Sequence, residues 1–245
     1  MKDQLLTVLE TAEIQKDIYK MKLAGDMSEI SVPGQFVNIR LDGFYLRRPI
    51  SIADWDDESL TIIYKVVGKG TAALAACPPG QSLSVLMPLG NGFDTKAAGR
   101  AGRQPLLIGG GIGLPPIYGL AKAFAREGVR PQVIAGFNTM DDVILLEEFR
   151  ALDIEPVITT VDGSCGTRGM VTDVLPDPSD FYLYTCGPEP MLRALHARVD
   201  QGQFSFEARM ACGFGACMGC SCQTKYGTKR ICKDGPILRW EEIIW

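Results

Sequence analysis

Pro105-Leu106-Leu107-Ile108-Gly109-Gly110-Gly111-Ile112-Gly113-Leu114-Pro115-Pro116 is the stretch that decides the fold. Pro105–Ile108 reads as a short buried strand and the glycines as a tight turn. Pro115 and Pro116 open a helix over Pro115–Glu127, in the first turn, where a missing N–H is no loss. A strand passing through glycine into a helix gathers backbone N–H groups at one point, and that suits a pyrophosphate. The stretch is not the G-x-G-x-x-G fingerprint, because the prolines fall where that pattern continues. A close-packed βα turn without a ligand uses the same glycines.

Downstream, strands over Gln132–Phe137, Glu155–Val161 and Phe181–Cys186 alternate with helices over Asp141–Leu152, Gly169–Leu175 and Glu189–Val199. That alternation predicts a doubly wound parallel α/β sheet with right-handed crossovers. Its ligand belongs at the C-terminal ends of the strands. Cys186-Gly187-Pro188-Glu189-Pro190-Met191 ends the last strand there, where the second part of a dinucleotide would lie; a proline-rich helix start is the plain alternative. Asn138-Thr139-Met140-Asp141-Asp142 follows the second strand, and its carboxylates would repel a 2′-phosphate. Electrostatics there favours NAD(H) over NADP(H). The one histidine, His196, is expected on a helix surface, so histidine acid–base chemistry is not expected.

Upstream, residues 1–98 read as β-structure. Leu5–Leu9, Ile18–Leu23, Gln35–Leu41, Leu60–Val67 and Ser82–Met87 carry strand patterning, with Pro-Gly turns before the third and the last. An alanine-rich run between Gly70 and Ala76 predicts one short helix in an antiparallel barrel. Arg47-Arg48-Pro49-Ile50-Ser51 places a guanidinium beside a hydroxyl, which suits a diphosphate, although an ordinary strand edge reads the same way. Pro88–Phe93 offers flexible backbone and an aromatic face, or a plain turn. Lys96–Gln104 is small, polar and without periodicity, as a connection between domains would be.

Near the C-terminus stands Cys212-Gly213-Phe214-Gly215-Ala216-Cys217-Met218-Gly219-Cys220, with Cys232 beyond it. C-x4-C-x2-C followed by a distant cysteine is the plant-type ferredoxin spacing for a [2Fe–2S] cluster. Glycines between the thiolates let backbone N–H groups approach the sulfides. Lys225, Lys229, Arg230 and Lys233 lie nearby in sequence, positive against an anionic site. A four-cysteine zinc site uses two well-separated C-x2-C pairs instead, and disulfides belong to secreted chains. Cys222 is a substitute ligand or a buried thiol beside the cluster; Cys77 and Cys165 read as packing residues.

Composition sets the frame. The chain has 245 residues, 46% hydrophobic and 22% charged, with a formal charge of −4. Nothing there points to nucleic acid. No apolar run approaches a membrane span and Met1–Gln4 starts no signal peptide, so a cytoplasmic protein is expected.

In order, Arg48-Pro49-Ile50-Ser51, Gly70-Thr71, Gly90–Phe93, the Gly109–Gly113 turn, Cys186-Gly187-Pro188 and the cysteine cluster resemble the ferredoxin-reductase superfamily. More narrowly, the chain resembles the electron-transfer subunits of B-type, NAD-linked dihydroorotate dehydrogenases, from the first strand to the last few residues. The resemblance implies a FAD-binding β-barrel at 1–98, a NAD-binding α/β domain at 99–202 and a ferredoxin-like [2Fe–2S] domain at 203–245. Arg48 would hold the FAD diphosphate and Ser51 would lie near the isoalloxazine. Pro49, Ile50, Tyr64, Lys65, Val66, Gly70 and Thr71 would complete that site. Gly109, Gly110, Gly111, Gly113, Cys186, Gly187 and Pro188 would receive NAD(H). Cys212, Cys217, Cys220 and Cys232 would hold the cluster. The implied partner is an FMN-containing subunit that oxidises dihydroorotate in UMP biosynthesis, in a heterotetramer of two plus two. Electrons would pass from FMN through the cluster and FAD to NAD+. Alternatives with the same modules are an NAD(P)H–ferredoxin, sulfide or hydrogenase electron-transfer subunit, or a redox sensor without turnover.

Overall fold

A computed structural model describes residues 1–245. Strands β1 (Lys2–Gln15), β2 (Ile18–Ala24), β3 (Phe36–Ile39), β4 (Arg48–Trp55) and β5 (Ser59–Lys65) are followed by helix α1 (Lys69–Ala75) and strand β6 (Ser82–Leu89). The six strands close into an antiparallel barrel in the order β1-β2-β5-β4-β3-β6. Alternation drives closure: Leu6 and Val8 of β1 and Met21 and Leu23 of β2 point inward and are buried, while Leu5 and Leu9 point out.

The second unit runs α2 (Ala97–Arg100), β7 (Gln104–Gly110), α3 (Leu114–Arg126), β8 (Gln132–Phe137), α4 (Leu146–Arg150), β9 (Val157–Thr160), β10 (Thr167–Arg168), β11 (Phe181–Cys186), α5 (Glu189–His196) and β12 (Gly202–Ser205). The remainder supplies β13 (Ser221–Thr224), β14 (Gly227–Arg230), α6 (Ile231–Asp234) and β15 (Ile237–Arg239). The large sheet has the order β10-β9-β8-β7-β11-β12-β15. Strands β7 to β12 are parallel, and β15 joins antiparallel to β12. The strand order reverses between β7 and β11, the topological switch point at which such sheets bind ligands. Gly109 pairs with Cys186 there, so the two motifs meet.

Several local expectations are corrected. The helix expected over Asp141–Leu152 is reduced to a 3-10 turn at Met140–Asp142 and the short α4. Between them Val143 is extended and Leu145 is left-handed. The Val143 carbonyl accepts a hydrogen bond from the Gln15 side chain of the barrel, and Ile144 and Leu145 are buried, so tertiary packing overrides the helical pattern. Gly169–Leu175 forms only a 3-10 turn at Val171–Asp173, closed by the Asp173 carboxylate on the Met170 N–H. Lys96–Gln104 contains α2 and the first residue of β7. Phe93 is not a surface aromatic: it is buried edge-on to Tyr184. His196 is half-buried, stacked on Trp240 at 5.1 Å, with each residue's ring nitrogen bonded to the other's backbone carbonyl at 3.1 Å. No helix is long and apolar enough to cross a membrane.

Candidate functional site

Two cavities adjoin at the junction of the units. The barrel cavity, of about 400 Å³, is walled by Arg48-Pro49-Ile50-Ser51 of β4, Tyr64 and Lys65 of β5, and Thr71 of α1. Its far wall comes from Cys186 at the end of β11 and from Phe206–Ala208 and Met210, which lead into the cysteine loop. The sheet cavity, of about 340 Å³, lies over the switch point, against Gly110–Gly113, Asn138, Thr159 and Pro188. Lys65, Ile112 and Glu207 line both, so the cavities communicate at these residues.

In the barrel cavity the Arg48 guanidinium lies over the Phe44 ring at 4.7 Å and donates to the Leu46 carbonyl. Gly70 makes room for it: a Cβ there would fall 1.8 Å from Arg48 Nε. The Thr71 hydroxyl accepts from the Val67 and Gly68 N–H groups and donates to the Gly68 carbonyl, fixing the turn that opens α1. Tyr64 is buried and its hydroxyl has no partner. Val66 does not line the cavity, and its N–H donates to the Asp17 carbonyl.

In the sheet cavity Gly113 cannot carry a side chain, because its Cβ would meet the Cys186 carbonyl oxygen at 2.4 Å. Gly110 and Gly111 present bare backbone to the cavity; Gly109 and Gly187 pack behind, against Leu114 and Met191. The Thr159 hydroxyl is another buried group without a partner. Cys186 belongs to the barrel cavity, and its buried thiol is pushed up to about 12 by burial and then by the nearby Glu207 carboxylate. Asp142 does not stand free to repel a phosphate. It pairs with Lys65 at 3.0 Å across the two units, leaving Asp141 as the exposed acid.

The four thiols expected as ligands come together as two pairs. The Cys217 N–H donates to Cys212 Sγ and the Cys232 N–H to Cys220 Sγ, both at 3.4 Å. A plant-type [2Fe–2S] cluster takes four thiolates, two for each iron. No three Cys, His, Asp or Glu side chains are gathered tightly enough for a single ion. Burial alone would raise Cys212, but N–H groups of Cys217, Phe214 and Gly215 outweigh it and hold the thiol at about 6, ready as a thiolate. Cys232 is pushed up to about 12 by burial and by its neighbour Cys220, so an incoming cation must displace its proton. Cys222 is a half-buried thiol on β13, facing Lys229 across the hairpin. The basic residues divide: Arg230 donates to the Gly215 carbonyl at 2.6 Å and Lys233 packs on Gly215. Lys229 instead pairs with the buried Glu242, and Lys225 lies over Trp240.

Glu207 escaped the sequence reading. It is the only charge in Phe204-Ser205-Phe206-Glu207-Ala208, which was the available signal. Its side chain meets solvent through the open cavities, yet the surrounding packing pushes its carboxyl above the ordinary range.

A flavin-sized cavity in a barrel, opening onto the switch point of a parallel sheet, defines a reductase of the ferredoxin-reductase class. The ferredoxin reductase of carbazole 1,9a-dioxygenase superposes with a TM-score of 0.69 at 24% identity, covering 81% of this chain and 67% of that one. An NADH-dependent reduced ferredoxin-NADP oxidoreductase superposes at 0.86 with 29% identity, covering 99% and 90%. Residues 207–244 match the iron-sulfur cluster binding domain of dihydroorotate dehydrogenase B. The electron transfer subunit of dihydroorotate dehydrogenase B (NAD(+)) from Fusobacterium nucleatum is 45% identical over 97% of this chain and 96% of its own length. The subunit of the same name from Geobacillus sp. (strain WCH70) is 41% identical over 100% and 99%. The chain belongs to the family of dihydroorotate dehydrogenase B (NAD(+)) electron transfer subunits.

Proposed function

We propose that this chain carries electrons from an FMN-containing, dihydroorotate-oxidising subunit through a [2Fe–2S] cluster and FAD to NAD+, in the pyrimidine pathway. The observation that carries the reading is the contact of three sites. The barrel cavity opens into the sheet cavity at Lys65, Ile112 and Glu207, and its far wall reaches Met210, two residues before Cys212. A bound flavin supplies the exchange of single electrons for a hydride.

The chain's own residues arrange the rest. Arg48 neutralises the FAD diphosphate, Ser51 bonds a polar atom of the cofactor, and Tyr64 walls the cavity beside it. Gly110, Gly111 and Gly113 let the pyrophosphate of NAD(H) approach the start of α3, and the Thr159 hydroxyl takes a polar atom of the dinucleotide. Cys186 and Glu207 flank the passage where the nicotinamide meets the flavin. Cys212 with Cys217, and Cys220 with Cys232, hold the cluster. Asp141 disfavours a 2′-phosphate, while Asp142 is neutralised by Lys65. We place the protein in the cytoplasm, as half of a two-plus-two heterotetramer.

A tagged pull-down from native cells, assayed at once for dihydroorotate-dependent NAD+ reduction, tests this reading. Activity with NAD+ well above that with NADP+ is expected. NADH turnover with an artificial acceptor but none with dihydroorotate would move the chain to a ferredoxin-linked partner, a second reading favoured by the superposition on the NADH-dependent oxidoreductase. No turnover with either would leave a redox sensor.

A further inference from the structure

Asn38 is an amide in a place that packing would give to an apolar side chain. It lies on β3, 1% exposed, among strand residues that are all buried. Phe36, two positions earlier and so on the same face of the strand, lines the barrel cavity. Asn38 Nδ2 reaches out of the barrel and donates to the carbonyl of Cys212 at 3.3 Å, while its Oδ1 has no partner. Burying an amide with half its hydrogen bonding unmet costs free energy, so the bond it does make needs an explanation. The next residue of the loop lies on the same side chain. Gly213 is left-handed at φ +79°, and a Cβ there would come 2.3 Å from Asn38 Nδ2.

The same barrel also grips the other side of the cysteine unit. Asn91 donates to the Ile237 carbonyl at 2.8 Å and accepts from the Ile237 N–H at 3.1 Å; its own N–H donates to the Gly235 carbonyl at 2.8 Å. Only the Asn38 contact falls on a thiolate ligand.

We propose that Asn38 is a positioning residue for electron transfer between flavin and cluster, fixing the main chain of the first ligand, Cys212, against the strand that walls the flavin cavity. This rests on the reading of Cys212 as a ligand and of the barrel cavity as the FAD site. Each transfer moves one electron: the cluster is oxidised by one as the flavin is reduced by one, or the reverse, with any proton exchanged with solvent. Tunnelling weakens steeply with separation, so a Cys212 loop free to drift from β3 slows that step. The two-electron exchange between nicotinamide and flavin takes place at the Lys65, Ile112 and Glu207 passage, which includes no hydrogen-bond partner of Asn38, and is untouched.

The test uses the full chain loaded with FAD and cluster. NADH is mixed rapidly with wild type and with Asn38→Leu, which keeps the volume and removes the amide. Flavin bleaching and cluster reduction are followed separately by absorbance and freeze-quench EPR. The expected result is an unchanged flavin phase, a cluster phase slowed at least tenfold, an unchanged cluster potential, and faster deuterium exchange of the 212–219 amides. An unchanged cluster phase overturns the proposal. So does a slowed phase accounted for by a shifted potential, which makes Asn38 a tuner of the cluster instead. Asn38→Ser repeats the test if the Leu variant takes up no cluster, and failure of both to load makes Asn38 an assembly residue and overturns positioning. A wild-type chain without the cluster spectrum would instead sink the underlying ligand reading.

Discussion

Arg48 has its guanidinium over Phe44 and its charge at the barrel cavity. On the proposed FAD site, Arg48→Ala would remove a charge-assisted hydrogen bond worth about 1.5–3 kcal/mol, so FAD should dissociate on dilution where wild type retains it; ultrafiltration with flavin absorbance reads this. Cys217→Ser takes one thiolate from the Cys212–Cys217 pair. The visible absorption and EPR signal of the cluster should vanish while FAD stays bound, and an intact spectrum would remove Cys217 from the ligand set. Glu207 gives a pH signature. A carboxyl whose pKa is raised in the fold adds stability below its unfolded value, about 4.3, and loses that contribution as pH rises through the folded value. Glu207→Gln has no such loss. Its melting temperature should gain on wild type between acid and neutral pH, and a constant difference would show that the carboxyl is not held up.

At the scale of the elements, α1 serves the site more than the fold. Gly70 in its first turn is kept for Arg48, since a Cβ would overlap that side chain. Alanine favours a helix by roughly 1 kcal/mol over glycine. Gly70→Ala should therefore leave the melting temperature level or higher while FAD retention falls. Parallel loss of both would mean that Gly70 is needed for folding. The α4 region shows the limit of pattern. Its acids and apolar residues recur as in a longer helix, but Gln15, 128 residues away, takes the Val143 carbonyl and the chain is drawn out toward the barrel.

On the whole-molecule scale, the cysteine unit is part of the barrel cavity. Residues 207–245 contribute Glu207, Ala208, Met210 and Pro236 to the barrel cavity and β15 to the large sheet. A chain ending at Phe206 should lose FAD and melt earlier, although barrel and parallel sheet remain. Stoichiometric FAD in that truncated chain would show the unit to be merely appended.

What the sequence alone determined is what short segments encode. The glycine turn, the strand–helix alternation and the thiol spacing are each set within a few to a few dozen residues, where backbone geometry and ligand distances leave few options. Even the Cys220–Cys232 pair needs only a hairpin and one helical turn. Only the tertiary structure decided how these parts share surfaces. The Lys65–Asp142 pair joins residues 77 apart, and Asn38 meets Cys212 across 174. Glu207 stands between two cavities built by separate units. No local pattern marks such residues, because each owes its position to two or more segments that meet only when the barrel, sheet and cysteine loop have packed.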